Sequence, residues 1–282
     1  MKANLYALGA IALWSTLAAL GVALQHLPPF LLTGVGLLIG TTLALPFVLK
    51  DWRQWQVPAA TLALGVYGLF GFHFLLFMAL RYAPPVEANL VNYLWPLFMV
   101  VLAPFLLQGV QLRTLHIVAA LLGFAGAVIA ILGARNGIGE SAGGWHGGYA
   151  LALASGLIWA SYSLWTQRVA AFPTAAVGLF GLVSGALSLA CHWLLEPAAV
   201  LNQHDWLLLL AMGAGPLGAA FFLWDKALKT GDVRHIGVLS YLTPLGSTVL
   251  LMLVNDRAFS WSIALAAIMI VTAALLGTRA KG

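Results

Sequence analysis

Ten runs of mostly apolar residues, each about twenty long, follow one another along the chain with almost no charge inside them. They lie at 4–24, 30–49, 60–81, 86–106, 113–133, 148–168, 175–195, 206–228, 235–254 and 260–278. A helix rises about 1.5 Å per residue, so each run can cross a hydrocarbon core of about 30 Å. A soluble fold could not cover itself with what remains. Of 282 residues, 62% are hydrophobic and 7% charged, against about 25% charged in soluble domains. The chain therefore reads as an all-α membrane protein with ten transmembrane helices. Its connections are short and rich in Pro, Gly and charge, as at Gln25-His26-Leu27-Pro28-Pro29 and Tyr82-Ala83-Pro84-Pro85. Met1-Lys2 ahead of an apolar run is the opening of a signal peptide, but this run has a counterpart in the second half and is read as a retained first span.

The chain repeats itself. Ala79-Leu80-Arg81 followed by Tyr93-Leu94-Trp95-Pro96-Leu97 recurs as Ala227-Leu228-Lys229 followed by Tyr241-Leu242-Thr243-Pro244-Leu245, at an offset of 148 residues. Leu13-Trp14-Ser15 is echoed by Ile158-Trp159-Ala160, and Leu132-Gly133-Ala134-Arg135 by Leu276-Gly277-Thr278-Arg279. Two five-helix repeats are expected, at 1–135 and 148–282, with the Gly-rich stretch at 136–147 as linker.

The charges orient the repeats. With ten spans, one side collects Lys2, Lys50, Arg53, Arg113, Arg168, Lys226, Lys229, Arg234, Arg279 and Lys281, while the other holds Arg81, Arg135 and Arg257. The positive-inside rule places both termini in the cytoplasm. Five spans per half is an odd number, so the second half enters the membrane inverted, which puts Arg81 and its mate Lys229 on opposite faces. Inverted repeats are characteristic of secondary transporters, whose substrates bind near the midplane between repeats.

Several side chains share that central depth. They are Trp14, His73, Tyr93, Trp95 and Pro96 in the first half, and Trp159, the Gly215-Pro216-Leu217-Gly218 break, Ser240, Tyr241 and Pro244 in the second. Aromatic rings in membrane proteins favour the interfaces. Helix packing explains any one of these rings as well as substrate contact does, but their shared depth on repeat-related helices favours a cavity lining. Helical spacing groups Asn89, Asn92, Tyr93 and Pro96 on one face, Gly237, Ser240, Tyr241 and Pro244 on another, and Trp159, Tyr162, Ser163 and Thr166 on a third. Polar groups are costly against lipid, so these faces are expected to turn inward. Pro96, Pro216 and Pro244 interrupt their helices, freeing carbonyls for a ligand or for bending.

What is missing narrows the substrate. No Asp, Glu, Lys or Arg stands near the middle of a span; Glu87 and Asp225 lie toward helix ends, and Lys226 can reach the cytoplasmic surface. A cation carrier would hold a buried carboxylate and a phosphate carrier fixed basic groups. The class left is neutral and partly aromatic, such as a zwitterionic amino acid whose ring stacks on Trp or Tyr. His73 is a candidate proton carrier or a packing residue. There is no HExxH, no GxSxG and no Cys/His cluster with metal spacing, so neither an enzyme nor a metal or other cofactor is expected. The scattered basic residues make no nucleic-acid footprint; the partners expected are substrate and membrane lipid, with a monomer compatible with the sequence and the oligomeric state left open. Gly34 and Gly36 fit helix contact better than phosphate binding.

"IALWST" at 11–16, "IWASYSLWTQR" at 158–168 and the paired "YLxPL" segments resemble the drug/metabolite transporter superfamily, EamA type, along essentially the whole chain. "VNYLWPLFMVVLAPFLL" at 91–107, with the central tryptophans, is most similar to its aromatic amino acid exporters. The resemblance implies a basket of ten helices, a central cavity, and export of Phe, Tyr, Trp or related amino acids across the bacterial inner membrane. EamA-type halves commonly close their fourth and ninth helices with Gly-Glu, where this chain has Gln108 and Asp256. A broader exporter of amphipathic drugs or metabolites such as methyl viologen, and a non-transporting scaffold or sensor, are the alternatives.

Overall fold

The computed structural model describes residues 2–133, 147–254 and 261–279, and every regular element among them is helical. The rods are α1 (Lys2–Ala23), α2 (Pro29–Lys50), α3 (Ala59–Tyr82), α4 (Pro85–Leu106), α5 (Thr114–Gly133), α6 (Gly147–Trp165), α7 (Ala176–Leu195), α8 (Gln203–Thr230), α9 (Val233–Val254) and α10 (Trp261–Arg279). Eight of these, all except α6 and α10, are long and apolar enough to cross a membrane. The chain is thus a multi-pass membrane protein. Arg135, Asp256, Arg257, Lys281 and most of the expected linker lie outside the described residues.

Interruptions recur in matching places. A π turn occupies Tyr67–Gly71 in α3 and another Gly215–Ala219 in α8, starting 148 residues apart. α4 breaks between Asn92 and Trp95, and α9 between Leu239 and Leu242. Pro96 and Pro244 follow these breaks directly, and neither has the N–H that would carry the hydrogen-bond ladder across. Above Pro96 the freed Asn92 carbonyl is covered by Gly156 of α6, where a Cβ would lie 2.9 Å from that oxygen.

The rods pack in pairs that respect the same offset. α3 lies against α6 as α8 does against α1, and α4 lies against α6 as α9 does against α1. The pairs α2–α7, α4–α9 and α5–α10 join like-numbered rods of the two halves. Lipid supplies no hydrophobic drive between helices, so close approach matters. The α2 glycines provide it: Gly34 meets Leu189 and the Gly185 carbonyl of α7, and Gly36 meets Leu217 of α8.

Polar side chains finish the helix ends. Glu196, past the end of α7, accepts from the backbone N–H groups of Phe30 and Leu31 at the start of α2, at 3.1 and 3.3 Å. It also binds Arg81 Nη2 at 3.1 Å and His192 Nδ1 at 3.0 Å. One carboxylate therefore ties α2, α3 and α7 together. Asn202 and Asp205 form a reciprocal cap on α8, and Asp205 reaches His26 at 3.1 Å. Asp232 caps α9. Burial pushes its carboxyl up, but hydrogen bonds from the Arg234 guanidinium and N–H outweigh this and hold it below the usual range.

Candidate functional site

Where α1, α4, α6 and α8 meet, each contributes one tryptophan. Trp14 lies 5.1 Å from Trp224 and 5.7 Å from Trp159 between ring centroids. Trp95 lies 5.7 Å from Trp224 and 6.3 Å from Trp159. Phe72, Tyr162 and Phe221 surround Trp159 at 5.3, 5.3 and 5.7 Å. Most of these pairs are edge-to-face or tilted, as ring quadrupoles prefer. All four tryptophans are buried. The rings fill the centre of the molecule, so the lining expected around a cavity is here closed upon itself.

Hydrogen bonds orient the rings. The Trp14 indole donates to the Pro216 carbonyl of the α8 π turn at 3.1 Å. The Trp224 indole donates to Ser163 Oγ of α6 at 3.2 Å. Asn92 donates to Ser155 Oγ at 3.1 Å, and that hydroxyl donates to the Phe72 carbonyl at 2.9 Å. A buried indole or amide left unpaired would cost about 1–3 kcal/mol, so these bonds define ring orientation as well as position. His73 bonds the Leu69 carbonyl through Nδ1 at 2.6 Å, and its ring touches Phe72, Phe77 and Phe221.

Trp14, His73, Asn92, Trp95, Trp159 and Ser163 are therefore brought together, with Pro216 as a direct partner. Other expected residues are not. Tyr241 turns away from the tryptophans and packs on Phe124, 6.4 Å distant, beside Ala127 of α5 and Ile270 of α10. The cause is the α9 break, which ends the 3.6-residue periodicity at Leu239, two positions before Tyr241. Ser240 is buried and donates to the Gly237 carbonyl. Asn89 and Tyr93 are half-buried on α4. Pro96 and Pro244 are buried beside their breaks. Thr243, which replaces Trp95 in the second copy, accepts from Ser15 Oγ through its carbonyl at 3.3 Å.

Phe72, Phe221, Trp224 and Asp225 had no place in the expected site. Phe221 could have been found, because it stands 148 residues after His73 and the two rings meet at 6.2 Å. Trp224 and Asp225 follow it at i+3 and i+4, on the same face of α8. Asp225 corrects the view that no carboxylate is buried: it is 3% exposed. Its Oδ2 binds Lys229 Nζ and Thr174 Oγ1, both at 2.6 Å. Lys229 also donates to the Phe172 carbonyl at 2.9 Å, and Gln167 to the Leu228 carbonyl at 2.8 Å. These bonds fasten the end of α8 to the α6–α7 connection. Among the described residues, no group of three or more His, Cys, Asp or Glu could hold a metal ion.

Comparison with known proteins agrees with this architecture. The EamA-like transporter family matches residues 1–132 and again residues 146–279. The chain is 42% identical over 287 residues to the "Aromatic amino acid exporter YddG" of Ancylobacter novellus, covering 98% of this chain and 97% of that one. It is 30% identical over 292 residues to the protein of the same name from Salmonella typhimurium, covering 98% and 96%. A solved structure described as "Crystal structure of protein" superposes with a TM-score of 0.91 at 40% identity, over 99% of this chain and 98% of the other. The chain belongs to the EamA-like transporter family.

Proposed function

We propose that the protein exports aromatic amino acids across the bacterial inner membrane by alternating access around its tryptophan cluster. The carrying observation is the meeting of Trp14, Trp95, Trp159 and Trp224 from four helices at one point. An indole or phenyl ring entering there exchanges ring–ring contacts for others of the same kind, each worth about 0.5–1.5 kcal/mol beyond burial. The relatives named as aromatic amino acid exporters support the same substrate class.

In this reading ten spans form two inverted repeats, 1–135 and 148–282, with both termini cytoplasmic. The paired π turns, the paired breaks and the two separate family matches support the repeats. The broken rods α4 and α9 bend, while Trp14, His73, Asn92, Trp95, Trp159 and Ser163 face the substrate. Asn89, Tyr93 and Ser240 act from the flanks, and Pro96, Pro216 and Pro244 mark the hinges.

The test is efflux from proteoliposomes loaded with labelled tryptophan, phenylalanine, threonine or methyl viologen. Tryptophan and phenylalanine should leave faster than threonine. Preferred release of the dication would replace the amino-acid reading with a drug exporter, and release of none would end the transport reading.

A further inference from the structure

An amino acid brings more than a ring into the site. Its ammonium group loses water on entry, and an unpaired buried charge is prohibitive. The carbonyl, hydroxyl and amide groups at the tryptophan cluster are neutral and already hydrogen-bonded, so a fixed anion is needed close by.

One stands there. Phe221, Trp224 and Asp225 share a face of α8, which places Asp225 against the cytoplasmic side of the cluster in the orientation above. Tyr162 of α6 lies one turn beyond Trp159 and in ring contact with it. The Asp225 side chain is 2% exposed. Oδ2 is held by Lys229 and Thr174, whereas Oδ1 is buried and has no hydrogen-bond partner. Buried carboxylate oxygens are almost always satisfied, and one left open calls for an explanation.

We propose that Asp225 Oδ1 receives the ammonium group of the transported amino acid, so that the site selects ring-bearing molecules that also carry a primary ammonium. The assignment rests on the exporter reading above and adds the residue that reads the backbone end of the cargo. Lys229 and Thr174 keep Oδ2 engaged and fix the orientation of the carboxylate, which leaves Oδ1 open. The second half alone supplies this group, because the position 148 residues earlier is Phe77. A symmetric scaffold thereby gains one polar end.

Three probes share an indole ring: tryptophan, tryptamine, which lacks the carboxylate, and indole-3-propionate, which lacks the ammonium. Protection of the purified wild-type protein against thermal unfolding should follow tryptophan and tryptamine, with indole-3-propionate at least tenfold weaker than either. In Asp225→Asn the half-protecting concentration of tryptophan should rise at least tenfold, and the preference over indole-3-propionate should disappear. A purely structural Asp225 would lower the unfolding temperature and leave that preference intact. Equal protection by indole-3-propionate and tryptophan in the wild type overturns the proposal, even if Asp225→Asn does not fold. Tryptophan affinity within twofold of wild type in a folded Asp225→Asn overturns it as well. Wild-type liposomes that release no aromatic amino acid defeat the exporter reading and this assignment together, whereas the two preceding results defeat the assignment alone.

Discussion

Gly40→Ala puts a methyl group where α2 presses on the π turn of α8. The new Cβ would lie 2.6 Å from the Leu217 carbonyl oxygen, 2.7 Å from Gly218 Cα and 3.0 Å from the Gly213 carbonyl oxygen. All three are backbone atoms, so no side chain can rotate away. Ordinary contact begins at 3.4 Å, and the π turn must retreat by roughly 0.8 Å to reach it. The same turn carries the Pro216 carbonyl, 3.1 Å from the Trp14 indole nitrogen. That bond is already near the long end of the usual range of about 2.7–3.2 Å, and such a displacement breaks it. Overpacking costs about 1–3 kcal/mol and the stranded indole N–H about 1–3 more. Together they predict a loss of roughly 2–6 kcal/mol, on the order of 5–20 °C in unfolding temperature for a chain of this size. The assay is thermal unfolding of detergent-purified protein, with Gly21→Ala as control, since a Cβ there meets nothing within 4 Å. An unfolding temperature for Gly40→Ala equal to that control would refute both the tight crossing and its coupling to Trp14.

Other outcomes follow from the same geometry. Trp159→Ala removes the ring that touches six others and should cut tryptophan efflux at least tenfold while folded protein is still recovered; wild-type flux would make the ring mere packing. His73→Asn should leave the pH-gradient dependence of efflux unchanged, because its Nδ1 is committed to Leu69 and its ring to packing; a lost dependence would make it a proton carrier. Glu196→Gln should destabilise the protein by roughly 1–3 kcal/mol in thermal unfolding, since Arg81 and His192 lose a buried anion. Asp232, held below its ordinary value of 3.8, stabilises the start of α9 above that pH and loses this contribution as pH falls; Asp232→Asn should flatten the acid limb of the stability profile.

The rods, their ends and the offset of 148 residues were legible because hydrocarbon thickness and backbone satisfaction leave a spanning segment few alternatives. The meeting of Trp14, Trp95 and Trp159 was legible too, from depth alone. Azimuth was harder. Tyr241 stands just past the α9 break, and extrapolating a 3.6-residue period across a break gives the wrong face. Asp225 was discounted because distance from a helix end was taken as a measure of exposure. The α6–α7 connection folds back over that end through Phe172 and Thr174, and burial there is tertiary.

The two π turns also bear on how such a chain can vary. A π turn is a helix that has absorbed one extra residue without lengthening its hydrogen-bonded frame. Deleting a single residue from Tyr67–Gly71 or from Gly215–Ala219 would close the wide turn into a plain helix and leave the residues beyond it on the faces they now occupy. In α3 that would leave His73 on its present face, and in α8 Phe221, Trp224 and Asp225 as well, while α8 would lose the wide turn that presents the Pro216 carbonyl to Trp14. Substitutions can be absorbed gradually in these helices. A one-residue deletion there would instead remove the wide turn outright while sparing the inner face beyond it.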